Sequence, residues 1–563
     1  ASGSAPFLGG SIENLAKKAG VLKSEIWRDR PASIWNAMIY PEKNTMKEAV
    51  KSALSIHRIL HGGVGEDDVA DWKASRKHSM ESSFLQADSL WLLDWRDKMK
   101  HSAKMDVFQN AVAAGFEAGS AAECLCRGSS SQEIEKYAEM ILLRAGRENF
   151  PDNMRLYLAA SDIYKRHVMD SLLKANECEN QAYEVIKKCV LEETCKRFRM
   201  DWHTVSIKAE RVEAELPVRI NFCGSPSDAA PYCLEHGGTM LDGALLLEGK
   251  RPVRAAAEKI ESGIIFRSTD QKECMNITDI RDIQDCGNPM DPFALHKAAV
   301  IAAGIVPYCE ETSMEEYCQS IGGGIRITTD VDVPKGSGLG TSSILAAAVI
   351  KAVLGIFGDN PSDEEIYARV FLAEQLMNTG GGWQDQAGGF TDGMKYITSE
   401  PGKYQKIAVE KLDIRKEIMD ELNSRFVLVF SGQRRLARNV LREEMNQCIR
   451  NDRTALEAIK KIQEYCAVMR HYLLKGEIRE FAEYVTRQFE LVKLLDKGAS
   501  NTCIEYIFDV IDDLADGKSV CGAGGGGFLQ VILKEGVCVK QLEKRIEEKF
   551  AGCGVKVWES RLI

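Results

Sequence analysis

Up to about residue 205, apolar residues recur every three or four positions, the period of amphipathic helices. The spacing predicts helices over Met46–Leu60, Ala87–Met105, Gln132–Arg147 and Asn176–Met200. Gly, Pro and Asp clusters such as HGGVGEDD at His61–Asp68 separate them. No fixed-period repeat emerges, and nothing in this region suggests chemistry of its own. From about Pro217 the pattern changes. Strand-like runs at Pro217–Cys223, Ile325–Val333, Phe426–Phe430 and Phe528–Leu533 alternate with helical stretches at Ser343–Phe357, Glu364–Asn378, Thr454–Lys475 and Lys540–Phe550. That alternation, with glycine-rich joints, predicts an α/β or α+β unit. The last stretch reads strand, helix, strand (Phe528–Leu533, Lys540–Phe550, Val555–Trp558), which suits a ferredoxin-like half. The expected organisation is a mainly helical part, 1–205, followed by a catalytic part, 206–563.

Composition adds exclusions. With 563 residues the chain is too long for one core. A formal net charge of −10 argues against nucleic-acid or anionic-membrane partners. Seventeen cysteines are too few for a disulfide scaffold, which needs roughly a tenth of the chain, and they show no zinc spacing. Reduced thiols in a cytoplasmic enzyme are the expectation. The apolar run Ile344–Phe357 is interrupted by Lys351, so no membrane span is expected. The opening residues ASGSAPFLGGS carry neither Met nor a signal-peptide pattern and read as a cut edge.

The most informative segment is DVDVPKGSGLGTSSILAAAVIKAVLG, Asp330–Gly355. A strand ends near Pro334, a loop follows with Gly336, Gly338 and Gly340, and a helix starts near Thr341. Glycines permit the close backbone approach that lets successive amides converge on an anion. The helix N-terminus adds unpaired donors and partial positive charge. The loop Lys335, Gly336, Ser337, Gly338, Leu339, Gly340, Thr341, Ser342, Ser343 is therefore the candidate phosphate cradle, and Thr341–Ser343 supply hydroxyls for capping or for a phosphate-bound metal. A strand-to-helix turn with a Ser cap explains less of this pattern. The GK[ST] ending of a Walker loop is missing.

This loop resembles the second motif of the galactokinase-like (GHMP) kinases, and the fucokinases among them most closely. Three further segments resemble that family in the same order. RINFCGSPSD, Arg219–Asp228, resembles its first motif; EQLMNTGGGWQDQAGG, Glu374–Gly389, resembles the catalytic stretch of fucokinases and heptose kinases; GAGGGGFLQVIL, Gly522–Leu533, resembles the third motif. The last contains a GxGxxG, but its glycines lead into a strand rather than a helix, against a dinucleotide fold. At Ser225 and Pro226 the chain departs from the pattern: galactokinases carry Glu-His there and fucokinases Gly-Trp, which argues against galactose.

The resemblance implies a GHMP kinase fold, with a ribosomal S5 domain 2-like half over 206–400 and a ferredoxin-like half over 401–563. It implies ATP and Mg²⁺ as cofactors and a small-molecule sugar as substrate, with L-fucose first and a heptose phosphate or arabinose as alternatives. A non-catalytic sensor of the same fold is the rival from another class; the presence of both Asp385 and Glu374 speaks against it. Asp385 is implied as the base, with Arg219 holding it ionised. Ser342 and Glu374 are implied as the Mg²⁺ ligands. Asp228, Glu235, His236, Gly382, Gly524 and Gly525 are implied at the substrate. Arg434, Arg435 and Arg438 are candidate phosphate contacts. Family members of this type are often part of a bifunctional polypeptide that also makes GDP-fucose. No counterpart of that other half is visible, which implies a fragment or a chain without that activity; a homo-oligomer is possible.

Overall fold

The computed structural model describes residues 4, 6–63, 66–288, 290–308, 312–433 and 438–563. Packing divides the chain into two compact units, Ala1–Asp106 and Val107–Ile563. The change from helices to strands near residue 205 thus lies inside the second unit.

The first unit is a small helical assembly with its own core, built by Ile12, Leu15, Trp27, Ile39, Ile59 and Trp72. Its helix Met46–His61 is N-capped by Thr45 and ends on Gly62 in the left-handed conformation, as its flanking residues suggest. Trp27 and Trp72 satisfy their indole N–H groups on the carbonyls of Ser33 and Ile39 at 2.9 and 3.0 Å.

The second unit begins with the helices Ala118–Cys126, Ser131–Ala145, Asp152–His167 and Leu172–Arg197. Met154, Leu158, Ala182, Tyr183, Ile186 and Val190 join the same hydrophobic core as the strands that follow. Buried ion pairs reinforce this: Arg450 grips Asp162 through two bonds of 2.7 Å.

Among the described residues the strand-rich part holds three sheets. One runs Arg211–Leu216, Val253–Ile260, Gly324–Val331, Ile264–Ser268, Glu273–Ile277, antiparallel except where Ile264–Ser268 lies parallel to Gly324–Val331. The second centres on Gly238–Leu247, which pairs with Val218–Cys223, Met394–Ser399 and the terminal strand Ser560–Leu562, with Ile407–Lys411 at its edge. Helix Thr341–Ile356 packs on the first sheet and is buried nearly all round, which explains its continuous apolar run.

The third sheet is antiparallel in the order Ala515–Val520, Phe528–Leu533, Phe426–Ser431, Val555–Trp558. With helices between its first and second strands and its third and fourth strands in sequence, this is the split βαβ of a ferredoxin-like half. Ile407–Lys411 and Ser560–Leu562, which flank or end that half in sequence, belong to the second sheet instead. Among the described residues no helix is long and apolar enough to cross a membrane, and the described cysteines are free thiols.

Candidate active site

The glycine turn follows strand Gly324–Val331, with Gly336, Gly338 and Gly340 at φ of 72°, 79° and 73°, a region that side chains disfavour. Close backbone contact is a second reason for glycine. A Cβ on Gly338 would lie 2.2 Å from Cys521 O, and one on Gly527 would lie 2.5 Å from Gly336 O. Phe528 N donates to Ser337 O at 2.9 Å. The third glycine motif is therefore the wall on which this glycine turn rests. Helix Thr341–Ile356 starts at Gly340 with no side chain capping it, so no side chain competes for its first-turn amides. Ser337 braces the turn, accepting from Leu339 N at 3.3 Å and meeting Thr341 Oγ1 at 3.1 Å. Lys335 leans outward and donates to Gln271 Oε1 at 2.6 Å.

Beside this loop stands Asp385, in the first turn of helix Gln384–Gly389. Arg219, on strand Val218–Cys223 and almost wholly buried, donates to Asp385 Oδ1 from Nε at 2.9 Å and from Nη2 at 2.5 Å. Its Nη1 donates to Gly338 O at 3.0 Å. Burial works against the guanidinium charge, but Asp385 and Asp242 outweigh it and raise the Arg219 pKa. The Asp385 side chain is 23% exposed, enough for a ligand to reach it.

Glu374, at the buried end of helix Asp363–Leu376, accepts from Ser343 Oγ at 2.6 Å and from Thr379 Oγ1. Ser343 Oγ also lies 3.4 Å from Asp385 Oδ2. The hydroxyl that meets Glu374 is thus Ser343; Ser342, one position earlier, faces outward. Burial raises the Glu374 pKa, opposed by these two hydroxyl bonds.

Asp228 sits on the loop after strand Val218–Cys223 and is buried. It accepts from Gln384 N at 3.0 Å through Oδ2, while Oδ1 has no partner among the described residues. Burial pushes its carboxyl up to about 7. Gly382 packs so closely on it that a Cβ there would fall 1.9 Å from Oδ2. Gln384 in turn donates from Nε2 to Ser225 Oγ at 3.3 Å.

A buried polar layer that single-residue reasoning missed lies behind these groups. Asp242, on the central strand Gly238–Leu247, accepts from Asn221 Nδ2 at 2.7 Å and is also pushed up to about 7 by burial. Lys395 is buried and donates to Gly388 O at 2.6 Å and to Thr391 O, closing the end of the Asp385 helix; burial lowers its pKa to about 8.

Four expected substrate residues have other partners. Glu235 pairs with Arg155 of helix Asp152–His167. His236 is exposed and lies against Tyr232 with ring centroids 4.8 Å apart. Gly525 N donates to Ala499 O at 2.7 Å, and a Cβ on Gly524 would lie 2.3 Å from that same carbonyl. These contacts hold the third motif together and leave the Gly525 amide committed. Arg434, Arg435 and the Arg438 side chain lie outside the described residues.

A strand, a glycine turn and a helix N-terminus, with an Arg-held carboxylate beside the turn, are the parts a phosphoryl transfer needs. Comparison with known proteins finds the following similarities. Residues 308–393 match the family model of the GHMP kinases N terminal domain. Over 98% of its length the chain is 30% identical to the bifunctional fucokinase/GDP-fucose pyrophosphorylase of Arabidopsis thaliana, covering 53% of that protein. It is 32% identical over 59% of its length to the L-fucokinase/L-fucose-1-P guanylyltransferase of Bacteroides fragilis, covering 35% of it. Over 62% of its length it is 26% identical to the D-glycero-alpha-D-manno-heptose 7-phosphate kinase of Campylobacter jejuni, covering 98% of that protein. The chain spans about half the length of the Arabidopsis relative and about a third of the Bacteroides one. The match to the GHMP kinases N terminal domain thus falls on the segment that carries both the glycine turn and Asp385, which Arg219 ties together.

Proposed function

We propose that the protein transfers the γ-phosphoryl group of ATP to the anomeric hydroxyl of a sugar, L-fucose before others. The observation that carries this is the Arg219 guanidinium, bonded to Asp385 on one side and to the Gly338 carbonyl of the loop on the other. Two segments far apart in sequence are thereby held at one spot, one suited to phosphates and one to a hydroxyl proton. The choice of L-fucose rests on the names of the Arabidopsis and Bacteroides relatives.

In this reading the loop amides and the start of helix Thr341–Ile356 hold the terminal phosphates. Asp385, held in place by Arg219, orients the sugar hydroxyl and accepts its proton as the new O–P bond forms and ADP leaves with the electrons of the old one. Asp228, an acceptor when ionised, holds a sugar hydroxyl.

Magnesium fits the donor set. The Glu374 carboxylate and the Ser343 hydroxyl are hard oxygen donors beside the loop, with Ser342 at its outer edge. Among the described residues no three His, Cys, Asp or Glu side chains form a metal-binding group, so phosphate oxygens and water would complete the shell. Bound Mg²⁺ would neutralise charge on the phosphates. The free thiols among the described residues favour a reducing compartment such as the cytoplasm, and a sugar 1-phosphate is the substrate class for nucleotidyl transfer in GDP-fucose salvage.

The test is an ADP-release assay with L-fucose, D-arabinose and a heptose 7-phosphate, followed by phosphorus NMR of the product. Sugar-dependent ADP with an acid-labile 1-phosphate, strongest for L-fucose, is expected. Preference for the heptose phosphate would support the reading that the Campylobacter relative favours. Tight sugar binding without turnover would indicate a sensor.

A further inference from the structure

Two acceptor atoms next to Asp385 are buried and unclaimed: Gln384 Oε1 and Asp228 Oδ1 have no partner among the described residues. Both side chains are fixed by their other ends. Gln384 N donates to Asp228 Oδ2 at 3.0 Å, and Gln384 Nε2 donates to Ser225 Oγ at 3.3 Å, which turns the amide so that its oxygen is left over. Gly382 presses on Asp228 and keeps it from turning away.

The space nearby is bounded. Ser225 lines a narrow cleft with Gln488, Ser519, Gly522 and Ala523. Gly522 packs on Gly338 of the phosphate loop, where a Cβ would come 2.8 Å from Gly338 Cα. The cleft therefore runs between the residue that orients Gln384 and the loop proposed to hold phosphate. Two fixed acceptors call for two donors, and a sugar ring carries such donors on neighbouring carbons.

We infer that Gln384 is a specificity-determining residue that, with Asp228, accepts hydrogen bonds from ring hydroxyls neighbouring the one phosphorylated. This rests on the sugar-kinase reading. The hydroxyl-bearing ring carbon beside the anomeric one is C2, so the C2 hydroxyl falls to Gln384. Ser225, at the position where the first motif departs from its relatives' pattern, becomes the residue that orients the reader.

Steady-state kinetics on Gln384→Leu and Ser225→Ala, with L-fucose and with 2-deoxy-L-fucose, test this. Gln384→Leu should raise the KM for L-fucose roughly tenfold, the worth of one good hydrogen bond, and leave the KM for ATP within about twofold. On the 2-deoxy sugar the variant and the wild type should agree within about twofold, because the missing hydroxyl leaves nothing to read. Ser225→Ala should behave alike with a smaller change, and it decides the matter if Gln384→Leu gives no cooperative melt. An equal loss on both sugars would overturn the inference, since a purely structural role for Gln384 does that. If the wild type prefers another sugar, the comparison uses that sugar and its 2-deoxy form. If it forms ADP with none, the kinase reading falls, and the inference with it.

Discussion

Arg219 and Asp385 are 166 positions apart in sequence, yet two nitrogens of the guanidinium meet one carboxylate oxygen at 2.9 and 2.5 Å. The third nitrogen holds the Gly338 carbonyl. One planar cation thus joins the proposed base to the proposed phosphate loop.

Lysine cannot replace that fork, because an ammonium is a point charge without its geometry. Arg219→Lys should lower kcat by roughly 10²-fold, near the lower bound for loss of acid–base function. It should also weaken ATP binding as the loop loses its tie. Calorimetry with ATP beside steady-state kinetics checks both; a fall in kcat with unchanged ATP affinity would mean that the Gly338 bond does not shape the loop.

Gly340 lies at φ 73°, and a Cβ there would come 3.0 Å from Asp385 Cγ and 3.1 Å from Arg219 Cγ. Gly536 has a similar φ of 79° with nothing within 4 Å, so it isolates backbone strain from crowding. Both Gly340→Ala and Gly536→Ala should cost about 1–2 kcal/mol of stability. Gly340→Ala alone should also lower kcat, by roughly tenfold or more, because even a 1 Å misplacement at a reacting group is costly. Thermal melts and kcat on the two variants check this.

The glycine turn, and the turn that carries Asp385, are legible from sequence because their signal is local. Alternating glycines followed by hydroxyls, or three glycines and a Trp before an Asp, state a backbone requirement within a few residues. Which serine meets Glu374 was not legible. Ser342 and Ser343 are neighbours, and only the rotation of the helix against Asp363–Leu376 turns the second one inward. Asp242 and Lys395 were missed for a related reason: a lone charged residue in a strand reads as solvent-facing, and burial of both faces of Gly238–Leu247 comes from topology alone. Strand Val253–Ile260, sequence VRAAAEKI, was hidden by Ala, Glu and Lys, which disfavour strands until tertiary pairing overrides them. Glu235 read as a pocket residue because its partner, Arg155, comes from a region with no chemical signal of its own.

Asp228 predicts a linked pH dependence. Burial raises its carboxyl to about 7, so the folded protein favours the protonated form. The associated stability is full below the ordinary carboxylate range near 4 and is lost as pH rises through about 7. Asp228→Asn removes this loss, so urea unfolding from pH 5 to pH 8 should show the variant gaining on the wild type as pH rises. Asp242, raised to the same value, supplies a background present in both proteins. The ionised form is the better hydroxyl acceptor, so the wild-type KM for sugar should fall across the same window. That limb should be absent in Asp228→Asn.

The most direct test of the account is single-turnover phosphoryl transfer by Asp385→Asn, with ATP binding measured on the same preparation. The carboxamide keeps the shape of the site and removes the proton acceptor that Arg219 holds. The account predicts a transfer rate lower by roughly 10²–10⁴ with ATP affinity within about twofold of wild type. Near-normal transfer would contradict it.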